Sequence, residues 1–404
     1  MALVVQKFGG TSVADVACIQ NAARRVLHEI KRGHQPVVVV SAMAGVTNQL
    51  VDLVRHVNPH FDAAEYDVVV ASGEQVTTGL MALALQALGV KARSYLGWQV
   101  PFHTDANHES ARVESVDITH LRQDLAAGIV PVIAGFQGLS PKGRVTTFGR
   151  GGSDITAVAL AAALNADRCD LYKDVTGIFT ADPRLVPQAR QLPRLSYSEM
   201  LELASLGSKV IQTRAVQMAM AYGVPLRLFS SFEEAEGTHI VHEDELVEKS
   251  QISGVVCNKN VVRALVRGAL TSGLLAQLFR ELANAQIDVD MVTQELGGTA
   301  GRVTFVVQGA RLEQVQTLLE QPSFAALEVG GDMNLAKISI VGLGLKGDAG
   351  IAALVLETLE ARAIPVFGLA TSEMRLSVLV ADEYAELAVR ALHGALLPEL
   401  KEAA

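Results

Sequence analysis

The sequence predicts an α/β domain, in which helices cover both faces of a largely parallel sheet, followed by two small α+β modules. Two observations support this prediction. Strand-like and helix-like segments alternate from residue 3 to residue 229, as is typical of a parallel sheet. Beyond a Glu-rich polar stretch at residues 232–249, which indicates a linker between domains, one strand–helix–strand pattern occurs twice.

The first 40 residues have the pattern of a right-handed βαβ unit. An apolar strand starts at Leu3, Gly9 and Gly10 form a turn, and residues 37–40 form the second strand. Between them, Gly33 ends a helix whose apolar residues recur every three or four positions. These residues are Val16, Ile19, Ala23, Val26, Leu27 and Ile30.

The same alternation continues along the first domain. Apolar segments predict helices near residues 77–88 and 154–164, and strands near residues 130–134, 169–173 and 226–229. Ser196 and Glu199 have the spacing of a capping box at the start of another helix. The result is one sheet with helices on both faces.

The C-terminal repeat consists of residues 261–292 and 336–367. Gly273 corresponds to Gly350, and Leu282 corresponds to Leu359. Each copy continues into a further strand, at residues 302–307 and 375–380. This order predicts two α+β modules with helices on one face of an antiparallel sheet.

The composition excludes several classes of protein. A chain of 404 residues predicts two or three domains. With 43 acidic against 34 basic residues, the net charge of −9 predicts no nucleic acid partner. The spacing of Cys18, Cys169 and Cys257 fits neither a zinc site nor a disulfide framework, which favours a reducing cytoplasm. No secretion signal is recognisable, and the longest apolar run, residues 155–164, is too short to span a membrane.

The first glycine turn is a candidate phosphate site. Residues 7–12 (KFGGTS) lie between a strand and a helix, where backbone amides and the helix dipole attract anions and glycine permits close approach. Lys7 would supply a mobile positive charge there. An ordinary βα turn explains this segment equally well when it is considered alone.

Two further turns contain polar residues. Residues 41–47 (SAMAGVT) follow a strand directly, at the sheet edge where open α/β folds bind ligands. In residues 149–154 (GRGGSD), Arg150 can bind a carboxylate, Ser153 can cap the next helix and Asp154 can meet an ammonium group. Glu74, considered alone, is more typical of a solvated acid at a helix start.

Two other patterns are chance matches in our interpretation. Residues 342–347 (GLGLKG) fit a dinucleotide-binding pattern, but the upstream copy of the repeat lacks those glycines. His103, Asp105 and His108 lie on no common helical face, so we expect a polar loop rather than a metal site. No metal-binding residues are assigned.

Five segments together resemble the ordered signatures of the aspartate kinases: residues 7–13, 41–47, 72–74, 149–154 and 174–184. The resemblance implies a three-layer αβα sandwich of the amino-acid kinase type at residues 1–247, followed by two ferredoxin-like ACT domains at residues 248–404. It further implies that the first ACT domain, at about residues 263–330, is inserted in the second. Residues 253–257 would then supply a strand to the second.

The resemblance also implies roles for single residues. Lys7, Lys209 and Asp174 are the expected catalytic residues. The expected aspartate site contains Thr47, Glu74, Arg150 and Asp154. The expected ATP site contains Lys7, Phe8, Gly9, Gly10, Ser41, Asp174, Phe179, Arg184 and Lys209. The expected effector site contains Ser272, Gly273, Asp288, Val292, Thr293 and Gln294.

The implied activity is transfer of the γ-phosphoryl group of Mg²⁺-ATP to the β-carboxylate of L-aspartate. Feedback by lysine, threonine or both is a further implication, as is a homodimer or larger assembly through the ACT domains. The effector loops lack the prolines often found in the family, and Phe179 stands where relatives often carry tyrosine. Both departures predict altered contacts.

Two other functions remain open from the sequence. The same fold can phosphorylate another acceptor, such as glutamate, acetylglutamate, carbamate or a nucleoside monophosphate. Alternatively, the chain is an amino-acid-binding ACT regulatory protein that has lost its kinase activity. Arg150 and Asp154 suit a free amino acid, and they favour the aspartate kinase.

Overall fold

The computed structural model describes residues 1–208, 210–243, 252–295 and 301–397. It divides into two units. The first contains Met1–Phe179 and Gln191–Lys249, and the second contains Thr180–Arg190 and Ser250–Ala404. The boundary expected between residues 247 and 248 lies outside the described residues. The short segment Thr180–Arg190 belongs to the second unit, although the sequence predicts it within the first domain.

The first unit alternates strands and helices in the predicted manner. Its elements are β1 (Leu3–Phe8), α1 (Val16–Lys31), β2 (Gln35–Val40), α2 (Val46–Val57), α3 (Ala63–Val70), α4 (Ser72–Ala87), β3 (Ala92–Tyr95), β4 (Phe102–Thr104), β5 (Val113–Val116), α5 (Thr119–Ala126), β6 (Val130–Ala134), β7 (Gln137–Leu139), β8 (Val145–Thr147), α6 (Gly152–Leu164), β9 (Arg168–Lys173), β10 (Ile178–Phe179), β11 (Gln191–Leu192), β12 (Arg194–Ser196), α7 (Tyr197–Ser205), α8 (Thr213–Tyr222), β13 (Leu226–Ser230) and β14 (Thr238–Val241).

Eight of these strands form one sheet in the order β12-β14-β13-β9-β1-β2-β6-β3. Strands β13, β9, β1, β2, β6 and β3 are parallel, and β14 runs antiparallel to β13. The buried, valine-rich sequences of β1, β2 and β6 are typical of strands covered on both faces. The predicted three-layer αβα sandwich is therefore confirmed. The predicted linker at residues 232–249 is wrong at Thr238–Val241, because these residues form β14.

The centre of the sheet places β1 between two helical layers. Side chains alternate along a strand, so neighbouring residues face opposite layers. Phe8 packs with Val26 of α1 and Met81 of α4, whereas the preceding Lys7 contacts the start of α6. Almost every residue of α6 is buried. The last two residues of β1 therefore separate a hydrophobic core from a polar site.

One helical stretch of the described residues, Ala63–Ala87, has the length and hydropathy to cross a membrane. It comprises α3 and α4, and half of it is buried inside the protein, as core helices are. The sequence shows no uninterrupted apolar run at this stretch, because Glu65, Asp67 and Glu74 lie among its apolar residues. By length and composition alone this is weak support for a membrane span.

The second unit contains a single antiparallel sheet and four helices of eight or more residues among the described residues. Its elements are β15 (Ile252–Gly268), α9 (Ser272–Asn284), β16 (Asp290–Glu295), β17 (Gly301–Gln308), α10 (Leu312–Leu319), β18 (Glu328–Gly342), α11 (Ala349–Glu360), β19 (Gly368–Thr371), β20 (Arg375–Ala381) and α12 (Ala385–Leu396).

The sheet of the second unit has the order β16-β17-β15-β18-β20-β19. The long strand β15 serves both copies of the repeat. Residues 261–268 pair with β17, and residues 252–258 pair with the C-terminal half of β18. Each copy of the repeat therefore completes its part of the sheet with β15.

The two modules have separate hydrophobic cores. The first is built around α9 and α10 and includes Leu278 and Phe305. The second is built around α11 and α12, and it also contains Ala181 and Val186 from the segment Thr180–Arg190. In the same core, the Thr180 hydroxyl lies 2.8 Å from Nε2 of the buried His393. This segment is an integral part of the second module.

Candidate active site

The site is centred on Lys7, near the end of β1, which contacts the N-terminal turn of α6. Gly151 precedes this helix with φ of +71°, a left-handed conformation that glycine adopts without strain. Asp154 lies in the first turn, and its Oδ1 is 2.6 Å from Lys7 Nζ. Both side chains are at least 95% buried. The chain therefore holds a buried ion pair at the carboxyl end of a parallel strand, where such sheets bind ligands.

A second lysine, Lys173, contacts the same carboxylate. It is the last residue of β9, the strand next to β1, and its Nζ lies 2.8 Å from Asp154 Oδ2 and 3.1 Å from Oδ1. Lys173 is not among the site residues predicted from the sequence. The available signal was a cation that ends a buried strand directly before Asp174. We call Lys7, Asp154 and Lys173 the lysine–aspartate cluster.

The cluster changes the acidity of its members. The pKa of Lys7 is lowered to about 8, because burial and the positive charge of Lys173 together outweigh the opposing effect of Asp154. Burial alone would raise the pKa of Asp154. However, the ammonium groups of Lys173 and Lys7 outweigh that effect and hold its pKa well below the usual range. With one carboxylate and two ammonium groups, the cluster has a net positive charge near neutral pH, and it suits an anionic ligand.

The first glycine turn lies beside the cluster. Gly9 N donates to the Tyr172 carbonyl at 3.1 Å, and a Cβ on Gly10 would lie 3.1 Å from the carbonyl of Ala42. The turn lies between β1 and α1, as predicted, and a short 3-10 turn at Thr11–Val13 separates it from the helix. Asp15 caps α1 itself by accepting from Cys18 N. The helix dipole of α1 is thus already matched by a carboxylate.

The second glycine turn does open a helix. Gly45 precedes α2 with φ of +81°, and no side chain of the described ranges caps this end. Ser41 and Thr47 flank the turn and are both half-buried. Ser41 N donates to the carbonyl of Phe8, which joins the ends of β1 and β2. Free helical amides lie here rather than at the first turn.

Glu74, in the first turn of α4, points into the protein. Our interpretation of it as a solvated acid is wrong, since only 3% of the residue is exposed. Its Oε1 accepts from Ala42 N at 3.1 Å, whereas Oε2 has no hydrogen-bond partner among the described residues. Burial raises the pKa of Glu74 to about 7. A buried carboxylate oxygen with an open position can receive a cationic group.

The third glycine turn positions Arg150 and Ser153 differently. Arg150 is exposed between Gly149 and Gly151, and its guanidinium can reach a ligand. Ser153 lies within α6 and does not cap it, because the N-cap position is occupied by Gly151. Therefore the capping role predicted for Ser153 is wrong.

The remaining predicted nucleotide residues are spread along the chain after β9. Asp174 is exposed directly after Lys173, and Phe179 is half-buried in β10. Arg184 belongs to the second unit, where it is exposed and pairs with Asp182 at 2.6 Å. Lys209 lies outside the described residues. The structure thus brings together Lys7, Asp154 and the neighbouring turns, but not every predicted nucleotide residue.

The predicted effector residues occupy one module of the second unit. Ser272 and Gly273 are exposed at the start of α9, which Thr271 caps by accepting from Leu274 N. Asp288 is exposed before β16, and the other three lie on β16, an edge strand of the sheet: Val292, Thr293 and Gln294. All six are accessible to a ligand.

In the described ranges, no group of three His, Cys, Asp or Glu side chains is placed to hold a metal ion. His108 instead contacts the buried Asp67 at 2.8 Å, and Asp105 accepts from backbone amides of its own loop. A divalent cation at this site would therefore depend on ligands other than a protein cage.

Comparisons with known proteins agree with this arrangement. A model of the amino acid kinase family matches residues 2–230, and a model of the ACT domain matches residues 338–396. The aspartate kinase of Pseudomonas putida is 45% identical over 400 residues, which are 98% of this chain and 97% of that protein.

Two crystal structures of E. coli aspartokinase III are also similar along nearly the whole chain. The complex with aspartate and ADP, in the R-state, has a TM-score of 0.82 at 27% identity, covering 98% of this chain and 99% of that one. The complex with lysine and aspartate, in the T-state, has a TM-score of 0.76 at 28% identity with the same coverage. Because the family model covers more than half of the chain and relatives match it almost from end to end, this chain belongs to the aspartate kinases of the amino acid kinase family.

Proposed function

We propose that the protein transfers the γ-phosphoryl group of ATP to the β-carboxylate of L-aspartate, forming 4-phospho-L-aspartate and ADP. The observation that carries this proposal is the lysine–aspartate cluster at the ends of β1 and β9. A phosphoryl group in transfer spreads negative charge over its oxygens, so catalysis depends on positioned cations. Lys7, held by Asp154 within the sheet edge, is such a cation.

The aspartate side of the site would use the residues around α2, α4 and α6. The exposed Arg150 guanidinium suits the α-carboxylate, which it can bind with two parallel hydrogen bonds. Glu74 Oε2, which lacks a partner among the described side chains, suits the ammonium group. Thr47 at the start of α2 and Asp154 complete this side. Binding of both charged groups on the α-carbon would leave the β-carboxylate free to point toward Lys7.

The nucleotide side would use Phe8, Gly9, Gly10 and Ser41 for the phosphates, with Asp174 and Phe179 further along ATP. The roles of Arg184 and Lys209 stay predictions from the resemblance. Mg²⁺ bound to the triphosphate would neutralise part of its charge. The donor set fits such an ion, because Mg²⁺ usually takes one or two carboxylates, several waters and substrate phosphates. Exposed Asp174 is the carboxylate best placed to join it.

The solved relatives support the same roles. E. coli aspartokinase III was crystallised with aspartate and ADP, and with lysine and aspartate. We therefore propose lysine or threonine as effectors at the six residues of the first module. We also propose a cytoplasmic enzyme of lysine, threonine and methionine biosynthesis that assembles as a homodimer or larger oligomer through its ACT domains, since edge strands such as β16 readily pair.

The test is acyl phosphate formation, trapped as the hydroxamate, with ATP, Mg²⁺ and one acceptor at a time. Aspartate should be phosphorylated, whereas glutamate, acetylglutamate, carbamate and nucleoside monophosphates should give only background signal. Faster transfer to one of those acceptors, or amino acid binding without any transfer, would overturn the proposal.

A matched pair of variants links this activity to the cluster. Lys7→Ala should abolish hydroxamate formation while leaving the protein folded. Lys142→Ala removes an exposed lysine from the turn between β7 and β8 and should retain full activity. Equal activity in the two variants would place the chemistry elsewhere.

A further inference from the structure

Lys173 has no role in the proposed mechanism so far, although it lies closer to the centre of the site than most predicted residues. Its Nζ contacts both oxygens of Asp154, at 2.8 and 3.1 Å. A lysine at the end of a strand normally extends to solvent. In this case the side chain is 18% exposed and is directed at a carboxylate that Lys7 already neutralises. One carboxylate needs one counter-ion, so the second ammonium requires a separate explanation.

The backbone fixes this arrangement. Lys173 follows Tyr172, whose carbonyl accepts from Gly9 N, and its own carbonyl accepts from Ser231 N. The residue is therefore held between the first glycine turn and the end of β13. Asp154 is equally fixed in the first turn of the buried helix α6. Both ends of the contact are rigid, so the contact can determine orientation.

We propose that Lys173 is a positioning residue for phosphoryl transfer, which acts through Asp154. By holding Oδ2 of this carboxylate, it fixes the direction in which Oδ1 faces Lys7 Nζ. By adding a second positive charge, it leaves the cluster net positive, so that Lys7 can interact with an incoming phosphate. This inference rests on the proposed function.

Without Lys173, the charges of Lys7 and Asp154 would cancel. A neutral pair attracts an anion weakly, and Asp154 would compete with the phosphate for Lys7. The carboxylate would also gain freedom to rotate, which costs rate when reacting groups must stay aligned. The effect should therefore appear in turnover rather than in aspartate binding.

Lys7 reports on this arrangement through its titration. Among the described residues, the titratable groups that act on it are Asp154 of α6, Lys173 and the buried thiol of Cys169 on β9, and Glu74 of α4. Lys173 lowers the pKa of Lys7, so loss of its charge should raise that pKa. The alkaline limb of the pH–rate profile, where Lys7 loses its proton, should move to higher pH.

The experiment compares the full-length protein with Lys173→Met, Lys173→Gln and Lys173→Arg, using aspartate and Mg²⁺-ATP. Lys173→Met should lower kcat by about tenfold or more, with aspartate KM changed by less than about threefold. The alkaline limb of its pH–rate profile should move to higher pH by about half a pH unit or more. In Lys173→Arg, which keeps the positive charge, the alkaline limb should stay at the pH of the wild type. Lys173→Gln, which can still donate to Asp154, separates charge from hydrogen bonding, and it replaces the methionine variant if that variant does not fold.

A second readout needs no turnover. The Lys7 Cε resonance of ¹³C-lysine-labelled protein, assigned by its loss in Lys7→Arg, should titrate at higher pH in Lys173→Met. Unchanged titration and kcat in Lys173→Met, or a change confined to aspartate KM or to thermal stability, would overturn the inference. A wild-type protein that phosphorylates no aspartate would instead refute the proposed function, so the two failures are distinct.

Discussion

Asp154 in the first unit and Asp290 in the second are each held by two cations, and these two clusters differ in burial. In the first unit, Asp154 is 2% exposed between Lys7 and Lys173. In the second unit, the side chain of Asp290 on β16 is 27% exposed and pairs with Lys337 of β18 and Arg375 of β20. The same charge pattern therefore occurs at a sheet end and across the strands of a sheet.

The difference lies in what the surroundings do to the cations. In the first unit, burial lowers the pKa of Lys7 to about 8, and Lys7 Nζ lies beside the first glycine turn, 3.7 Å from where a Cβ on Gly9 would be. In the second unit, Asp290 joins strands of the two modules beside a small apolar cluster that includes Leu335 and Leu379. The buried cluster at the ends of β1 and β9 can take part in catalysis, whereas the cluster across β16, β18 and β20 holds strands together.

The largest expected effect comes from Asp154→Asn. The substitution leaves two buried lysines without their counter-ion, so the pKa of Lys7 should fall further and the lysine should lose charge at neutral pH. We expect kcat to fall by about 10² to 10³. We also expect the free energy of unfolding to fall by about 3 kcal/mol. Steady-state kinetics and urea unfolding at pH 7.5 measure both quantities.

The matched control for this variant is Asp290→Asn, which removes the same charge from the second cluster. Its kcat should remain within about twofold of the wild type, since Asp290 is no part of the proposed catalytic site. Turnover in Asp154→Asn equal to that of the control would show that the buried cluster has no role in catalysis.

Glu74→Gln tests a buried carboxylate that has no ion-pair partner among the described side chains. The pKa of Glu74 is raised from 4.5 to about 7, so the contribution of this group to stability is full below pH 4.5 and is lost as pH rises through 7. The loss amounts to about 3 kcal/mol at most. Glu74→Gln should lack this pH dependence and be more stable at pH 8, whereas its aspartate KM should rise about tenfold or more.

Urea unfolding at pH 5 and pH 8 measures the stability change, and kinetics at pH 8 measure KM. If the free energy of unfolding changes with pH in the same way in the wild type and the variant, burial does not raise the pKa of Glu74. An unchanged KM would remove it from the aspartate side of the site.

The smallest effect should come from Asp290→Asn itself. The pKa of Asp290 is lowered, because Lys337 and Arg375 outweigh the burial that would raise it. The stabilisation is therefore present above its ordinary pKa of 3.8 and is lost as pH falls below that value. At pH 7 we expect a loss of about 1–2 kcal/mol in urea unfolding. The double variant with Lys337→Met should lose less than the sum of the single losses, and full additivity would show that the two residues do not interact.

Much of the fold could be predicted from the sequence because periodicity records burial. The buried strand at Cys169–Lys173 and the amphipathic helix at Val16–Lys31 follow directly from their apolar positions. Strand β14 was missed because four residues, Thr238–Val241, are too few to show periodicity within a polar stretch. The grouping of Thr180–Arg190 with the second unit depends on long-range packing that no local pattern records.

The candidate site was predicted less completely. Glycine turns and the residues next to them were recognisable, because the chemistry of phosphate binding needs them in sequence order. The interaction of Lys173 with Asp154 joins residues 19 positions apart, and it exists only because β9 lies beside β1 and α6. The burial of Glu74 likewise depends on how α4 packs under the second turn.

The central claim is that phosphoryl transfer takes place at the lysine–aspartate cluster. A crystal structure with ADP, Mg²⁺, aspartate and aluminium fluoride tests it most directly. We predict that the aluminium fluoride, in the place of the transferred phosphoryl group, lies within about 3 Å of Lys7 Nζ and next to the Gly9–Gly10 turn. It should lie between ADP and the β-carboxylate of aspartate. Fluoride and nucleotide bound away from β1, with Lys7 Nζ still bonded only to Asp154, would contradict it.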